Sequence, residues 1–156
     1  MSAITLTLPY PLSANRYWKA IRIPGRTMIA PSKEAKAYKA AVAAEARAAG
    51  IRDVIRGRVA VTIRLYPARP ADWAKRARKD PDNWDDSVRC IDLDNARKVL
   101  YDALTGVAFE DDKWIRRDAA VRCEPDEHGA RVEVTIEPLQ RALVAPELFG
   151  EDVAAA

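Results

Sequence analysis

Asp92, Asp94, Lys98, Asp111 and Asp112 fall within a run of 21 residues. If Asp92-Leu93-Asp94 is extended, its two carboxylates point to one side, because side chains alternate along a strand. Asp94 or Asn95 then caps a helix that carries Lys98 about one turn in. That helix returns at Gly106, which lets Asp111 and Asp112 come back toward the same pocket. Carboxylates held this close repel one another unless a cation neutralises them. Hard oxygen ligands in such an arrangement suit Mg²⁺ or Mn²⁺, with water and a substrate phosphate completing the octahedron. A lysine beside them offsets charge on a phosphoryl group or helps position the attacking water.

Other chemistries lack their residues. The single histidine, His128, sits in the polar turn Asp126-Glu127-His128-Gly129, which disfavours a His-Cys zinc finger, an HExxH metalloprotease and a Ser-His-Asp hydrolase. An EF-hand fails because Ala96 and Arg97 stand where a ligand and a glycine belong. There is no Walker A sequence and no GxGxxG fingerprint. Two cysteines, Cys90 and Cys123, make neither a disulfide framework nor a metal cluster, and reduced thiols are expected.

The elements that must position the acids follow from periodicity. The chain has 156 residues, 49% hydrophobic and 31% charged, which suits one globular domain with a real core. No window reaches the ~18 apolar residues of a membrane span, and no secretory signal is expected from Met1 to Pro9. Ile4, Leu6 and Leu8 alternate with Thr5 and Thr7, a half-buried strand stopped by Pro9 and Pro11. Pro11 to Lys19 reads as a loop, basic and aromatic. Ser32 predicts an N-cap for a helix from Lys33 to about Ala49, with Ala35, Tyr38, Val42, Ala46 and Ala49 on its inner face and Gly50 as its stop. Val59, Val61, Ile63 and Leu65 predict a second strand. Residues 67–90 read as a long mobile loop, basic at first and then an acidic, solvated stretch from Asp80 to Asp86. A second helix is expected over Asn95–Leu104, with Val99, Leu100, Ala103 and Leu104 inward. Strands follow over Trp114–Cys123 and around Val132, Val134 and Ile136. The fold class is therefore α+β: a mixed sheet of about four strands packed with two main helices. The domain covers residues 1–137, and residues 138–156 form a peripheral tail.

Charge is distributed unevenly. Residues 1–80 carry 17 bases against five acids; the remainder carries 9 bases against 18 acids. Such a swing suits a basic surface for a polyanion beside an acidic zone, unless the two halves interleave and mix their charges.

Taken in order, Asp92-Leu93-Asp94-Asn95-Ala96-Arg97-Lys98, then Asp102-Ala103-Leu104, then Asp111-Asp112, closely resembles the RusA family of Holliday junction resolvases, with its D-x-D-N-x-x-K-x-x-x-D-A-L pattern and paired Asp-Asp. Leu8-Pro9-Tyr10-Pro11-Leu12-Ser13-Ala14-Asn15-Arg16-Tyr17 resembles the family's opening segment, so the likeness spans about Ile4 to Ile136. The resemblance implies a homodimeric, Mg²⁺-dependent endonuclease that nicks two opposed strands of a four-way DNA junction in recombination and repair. It implies Asp92, Asp94 and Asp112 as metal-binding carboxylates, Lys98 as the catalytic lysine, and supporting roles for Asn95, Asp102 and Asp111. A cytoplasmic protein, bacterial or prophage-encoded, is implied as well. Cys90 and Ile91 precede Asp92 where basic residues can occur in the family, so DNA contacts are expected to move to Arg69, Lys75, Arg76, Arg78 and Lys79, joined by Asn15 and Arg16. Tyr17 and Trp18 are expected to pack at a strand end. The rival readings are a branched-DNA-binding module without catalysis and a broader nuclease for flaps or single strands.

Overall fold

The computed structural model describes residues 2–139, so all but the first two residues of the tail lie outside it. Its centre is a four-stranded sheet in the order β1-β6-β4-β5, made of β1 (Ile4–Pro9), β4 (Val59–Tyr66), β5 (Ile115–Arg122) and β6 (Arg131–Pro138). β6 runs antiparallel to both β1 and β4, whereas β4 and β5 are parallel, so the sheet is mixed as expected. Leu6, Leu8, Val61, Ile63, Leu65, Val132, Val134 and Ile136 are buried on one face. Thr5 and Thr135 meet on the other, their hydroxyls 3.0 Å apart. A sheet with one apolar face needs a covering layer. The cover is α2 (Lys33–Ala48) and α4 (Leu93–Leu104), which bury Tyr38, Val42, Val99, Leu100 and Leu104 in the common core. Each such apolar side chain contributes about 1.5–3 kcal/mol by leaving water.

The helix ends follow local chemistry. Ser32 caps α2, its hydroxyl accepting the Ala35 N–H at 3.1 Å. Ala49 is exposed rather than on the inner face, because α2 ends at Ala48 and the chain turns away at Gly50. Gly106 leaves α4 at φ 77°, a left-handed conformation that a side chain would strain.

Two segments differ from expectation. The stretch Pro11–Lys19 contains a single helical turn, α1 (Ala14–Tyr17), and leads into a separate hairpin of β2 (Trp18–Ile23) and β3 (Arg26–Pro31). Residues 67–90 are not a structureless loop. They hold α3 (Trp73–Lys79) and a 3₁₀ turn over Trp84–Ser87. Trp84, expected in a solvated stretch, is buried; its indole N–H donates to Glu124 Oε1 at 2.7 Å, and its ring lies 6.2 Å from that of Trp73. Burying one large aromatic with its polar end satisfied outweighs the acidity around it. Arg122 fixes the turn from the sheet side, donating to the carbonyls of Asp85 and Val88 at 2.8 Å.

Candidate active site

Helix α4 begins earlier than its apolar periodicity suggests, and this changes the geometry of the acidic pair. Asp92 is the N-cap residue, with extended backbone and no side-chain cap hydrogen bond, and Asp94 lies in the first turn. Residues 92–94 are thus a helix start rather than a strand. The two exposed carboxylates stand where the unpaired N–H groups and the helix dipole favour negative charge. Lys98, one turn on, sets its ammonium 3.1 Å from Asp94 Oδ2. Both side chains are more than half exposed, so this pair orients charge at the surface and adds little stability.

The opening segment grips α4 at three points. Tyr10 accepts the Ile91 N–H at 2.9 Å and donates its own proton to Cys90 Sγ at 3.6 Å, fixing the backbone that enters Asp92. Burial pushes the Tyr10 phenol up to about 12, so it keeps that proton at ordinary pH. Asn95 accepts the Ala14 N–H at 3.2 Å and turns its amide toward Asp92 Oδ2 at 3.5 Å. Farther along, the fully buried Tyr17 donates to Asp102, which also meets Lys39 Nζ of α2 at 3.2 Å. Asn95 and Asp102 are therefore struts for the helix that carries the acids. Tyr17 packs inward, with Trp18 edge-on at 4.5 Å.

Asp112 lies outside α4, in the segment that follows it. It opens a 3₁₀ turn over Asp112–Trp114 and lines a cleft of about 290 Å³ with Tyr101, Arg116 and Asp118. Tyr101 is seven residues beyond Asp94, about 10 Å along the axis. Asp112 therefore sits beside a later turn of α4 than the one that carries Asp94. Among the described residues, no three acidic, cysteine or histidine side chains gather closely enough to hold a metal ion. Asp111 accepts the Lys113 N–H at 3.0 Å, and that hydrogen bond holds its carboxyl below the usual range.

Sequence reasoning missed Asp118 and the strut role of Tyr10. Asp118 Oδ2 accepts from Arg97 Nε at 2.8 Å and from the Tyr101 hydroxyl at 2.6 Å, joining α4 to β5. A lone aspartate within a strand gives no sequence signal, whereas Tyr10 sat within a segment already singled out. The basic residues fall into two sets. Lys75, Arg76, Arg78 and Lys79 share α3; Arg76 is engaged by Asp72 at 2.9 Å and by Ser87, while Lys75, Arg78 and Lys79 are exposed. Arg69 stacks on Trp73 at 4.3 Å. On α1, Asn15 is exposed and Arg16 pairs with Glu34 at 2.5 Å. Cys90 and Cys123 are free thiols, and no helix among the described residues is long and apolar enough to cross a membrane.

The family model described as Endodeoxyribonuclease RusA matches residues 9–137. Crossover junction endodeoxyribonuclease RusA of Escherichia coli O139:H28 (strain E24377A / ETEC) is 33% identical over 139 residues, covering 89% of this chain and 98% of that protein. The protein of the same name from Escherichia coli (strain K12) is 32% identical over 136 residues, covering 87% and 95%. The chain belongs to the RusA family of endodeoxyribonucleases.

Proposed function

We propose that this protein is a divalent-metal-dependent endonuclease that resolves four-way DNA junctions by paired nicks, acting as a homodimer. The observation that carries the reading is the start of α4, where Asp92, Asp94 and Lys98 stand exposed and are braced by Tyr10 and Asn95. The donor set fits Mg²⁺ or Mn²⁺: hard carboxylate oxygens, open to solvent, with one or two protein ligands sufficing when water and phosphate supply the rest. When bound, the ion supplies Lewis acidity toward the phosphate and the attacking water. Asp92 and Asp94 would hold it, with Asp112 as a third ligand on the strength of the resemblance. Lys98 would direct its ammonium at the charge that builds on the phosphoryl oxygens. The exposed bases of α3 would hold flanking phosphates, which positions the strand without reading its sequence. A homodimer follows from the substrate, since two symmetry-related strands call for two symmetry-related sites.

The test is a labelled four-way junction incubated with the full chain and Mg²⁺. Symmetric paired nicks are expected, and Asp92→Asn or Asp112→Asn should reduce cutting by at least about 10²-fold while junction binding persists. Binding without cleavage would leave a binding module; equal cutting of flaps would leave a broader nuclease. Full activity in Asp112→Asn would remove that residue from the ligand set.

A further inference from the structure

We propose that the open cleft beside Asp92 receives one unpaired nucleobase of the DNA strand held for cutting, and so decides which base stands next to the cut. This rests on the nuclease reading above and adds a recognition site to it. The cleft, about 790 Å³, lies between the opening segment at Tyr10–Ser13 and the segment Ser87–Ile91 that runs into Asp92. Sites for small organic groups span roughly 300–1,000 Å³ and combine apolar walls with a few polar atoms. Here Leu12, Val88 and Ile91 are apolar residues of the lining, and Ser13 and Cys90 are polar ones.

The charge at the cleft selects the occupant. Arg16, Arg76 and Arg89 line it, and no aspartate or glutamate does. Arg16 and Arg76 already pair with Glu34 and Asp72, while Arg89 is exposed and has no carboxylate partner among the described residues. A flat apolar group carrying a phosphate matches walls of this kind beside a guanidinium. Continuity with the acidic pair fixes which phosphate that is, because Cys90 and Ile91 of the cleft wall directly precede Asp92. A base can enter only outside the duplex stack, and leaving the stack costs least where pairing is already disturbed, as at a branch point.

The experiment uses the full chain without divalent metal, so that binding is read apart from cleavage. Four-way junctions carry 2-aminopurine, whose emission rises on unstacking, at successive positions around the branch, with protein at saturation. Emission should rise at one position in each of two opposed strands. In Ala130→Trp, a substitution at an exposed residue of the cleft, that rise should be lost, with the fold checked by circular dichroism and the urea midpoint. With Mg²⁺ restored, the wild-type preference among the four bases at that position, about tenfold or more for a site reading a base by its polar edge, should flatten in the same variant. No emission change in the wild type, or an unchanged base preference in Ala130→Trp, overturns the cleft while leaving the nuclease reading intact. A changed oligomeric state in Ala130→Trp shows that a second copy fills the cleft, which also overturns it. Failure of the chain to bind any junction overturns both.

Discussion

Tyr10 connects the first strand to the acids of α4 through one hydroxyl that accepts the Ile91 N–H and donates to Cys90. The Ile91 amide is part-buried, so removing its acceptor leaves a donor unpaired, at a cost of about 1–3 kcal/mol. Tyr10→Phe keeps the ring and removes only that oxygen. The expected result is a modest fall in the urea midpoint and a larger fall in activity, about tenfold or more, because small displacements of a reacting group are costly in rate. Single-turnover cleavage of a bound junction measures the second effect apart from DNA affinity. Equal activity in Tyr10→Phe would show that the Asp92 backbone is held well enough by Asn95 alone. Asp102 makes a useful contrast: it contacts Tyr17 and Lys39, on the side of α4 that faces α1 and α2, and so ties the helix to its neighbours.

At the scale of elements, α3 is the piece that turns an apparent loop into a surface with a purpose. It places Lys75, Arg78 and Lys79 in the open on seven residues, anchored by Trp73 against Trp84 and by Arg76 against Ser87. Each phosphate contact contributes about 0.9 to the slope of log affinity against log salt concentration. Replacing Lys75, Arg78 and Lys79 together by alanine should therefore make that slope shallower by about two to three for a four-way junction, as read by anisotropy titrations across salt concentrations. An unchanged slope would place the phosphates elsewhere. This helix was hidden in the sequence because its apolar anchors, Trp73 and Trp84, lie in different elements and never form a helical stripe. The hairpin β2–β3 was hidden for a related reason: Ile21 and Ile29 are both exposed, so no buried face imposed alternation. Its turn did carry a local mark, Pro24-Gly25, with Gly25 at φ 84°. By contrast β1, β4, β6 and both main helices bury one face each, and burial is what writes a period into sequence. The acids were legible through their order along the chain. The early start of α4 and the placement of Asp112 beside Tyr101 were not, because neither follows from an apolar period.

Over the whole molecule, the basic first half and the acidic second half do not form two poles. β6 is inserted between β1 and β4, and Lys39–Asp102, Arg56–Glu110 and Arg69–Glu127 pair across the halves. The bases without a carboxylate partner among the described residues are spread over several elements: they include Lys19, Arg22 and Arg26 on the hairpin, Lys33, Lys36 and Arg47 on α2, Lys75, Arg78 and Lys79 on α3, and Arg89 before the acidic pair. Pairing on this scale ties stability to pH. Asp126 binds Arg131 through both guanidinium ends, at 2.7 and 2.9 Å, while Arg131 lies over the Tyr66 ring at 3.9 Å, closing the turn between β5 and β6. The Arg131 guanidinium holds the Asp126 carboxyl down at about 2, against an ordinary value of 3.8. Because the folded state depresses this group, its stabilising effect is fully present above the ordinary value and disappears as pH falls toward about 2. Asp126→Asn should thus unfold at lower urea than the wild type at pH 7 and at pH 5. The difference in midpoint should shrink between pH 4 and pH 2, where the wild-type carboxyl also becomes neutral. A midpoint difference that stays constant from pH 7 down to pH 2 would assign the effect to lost shape or hydrogen bonding rather than to the ion pair.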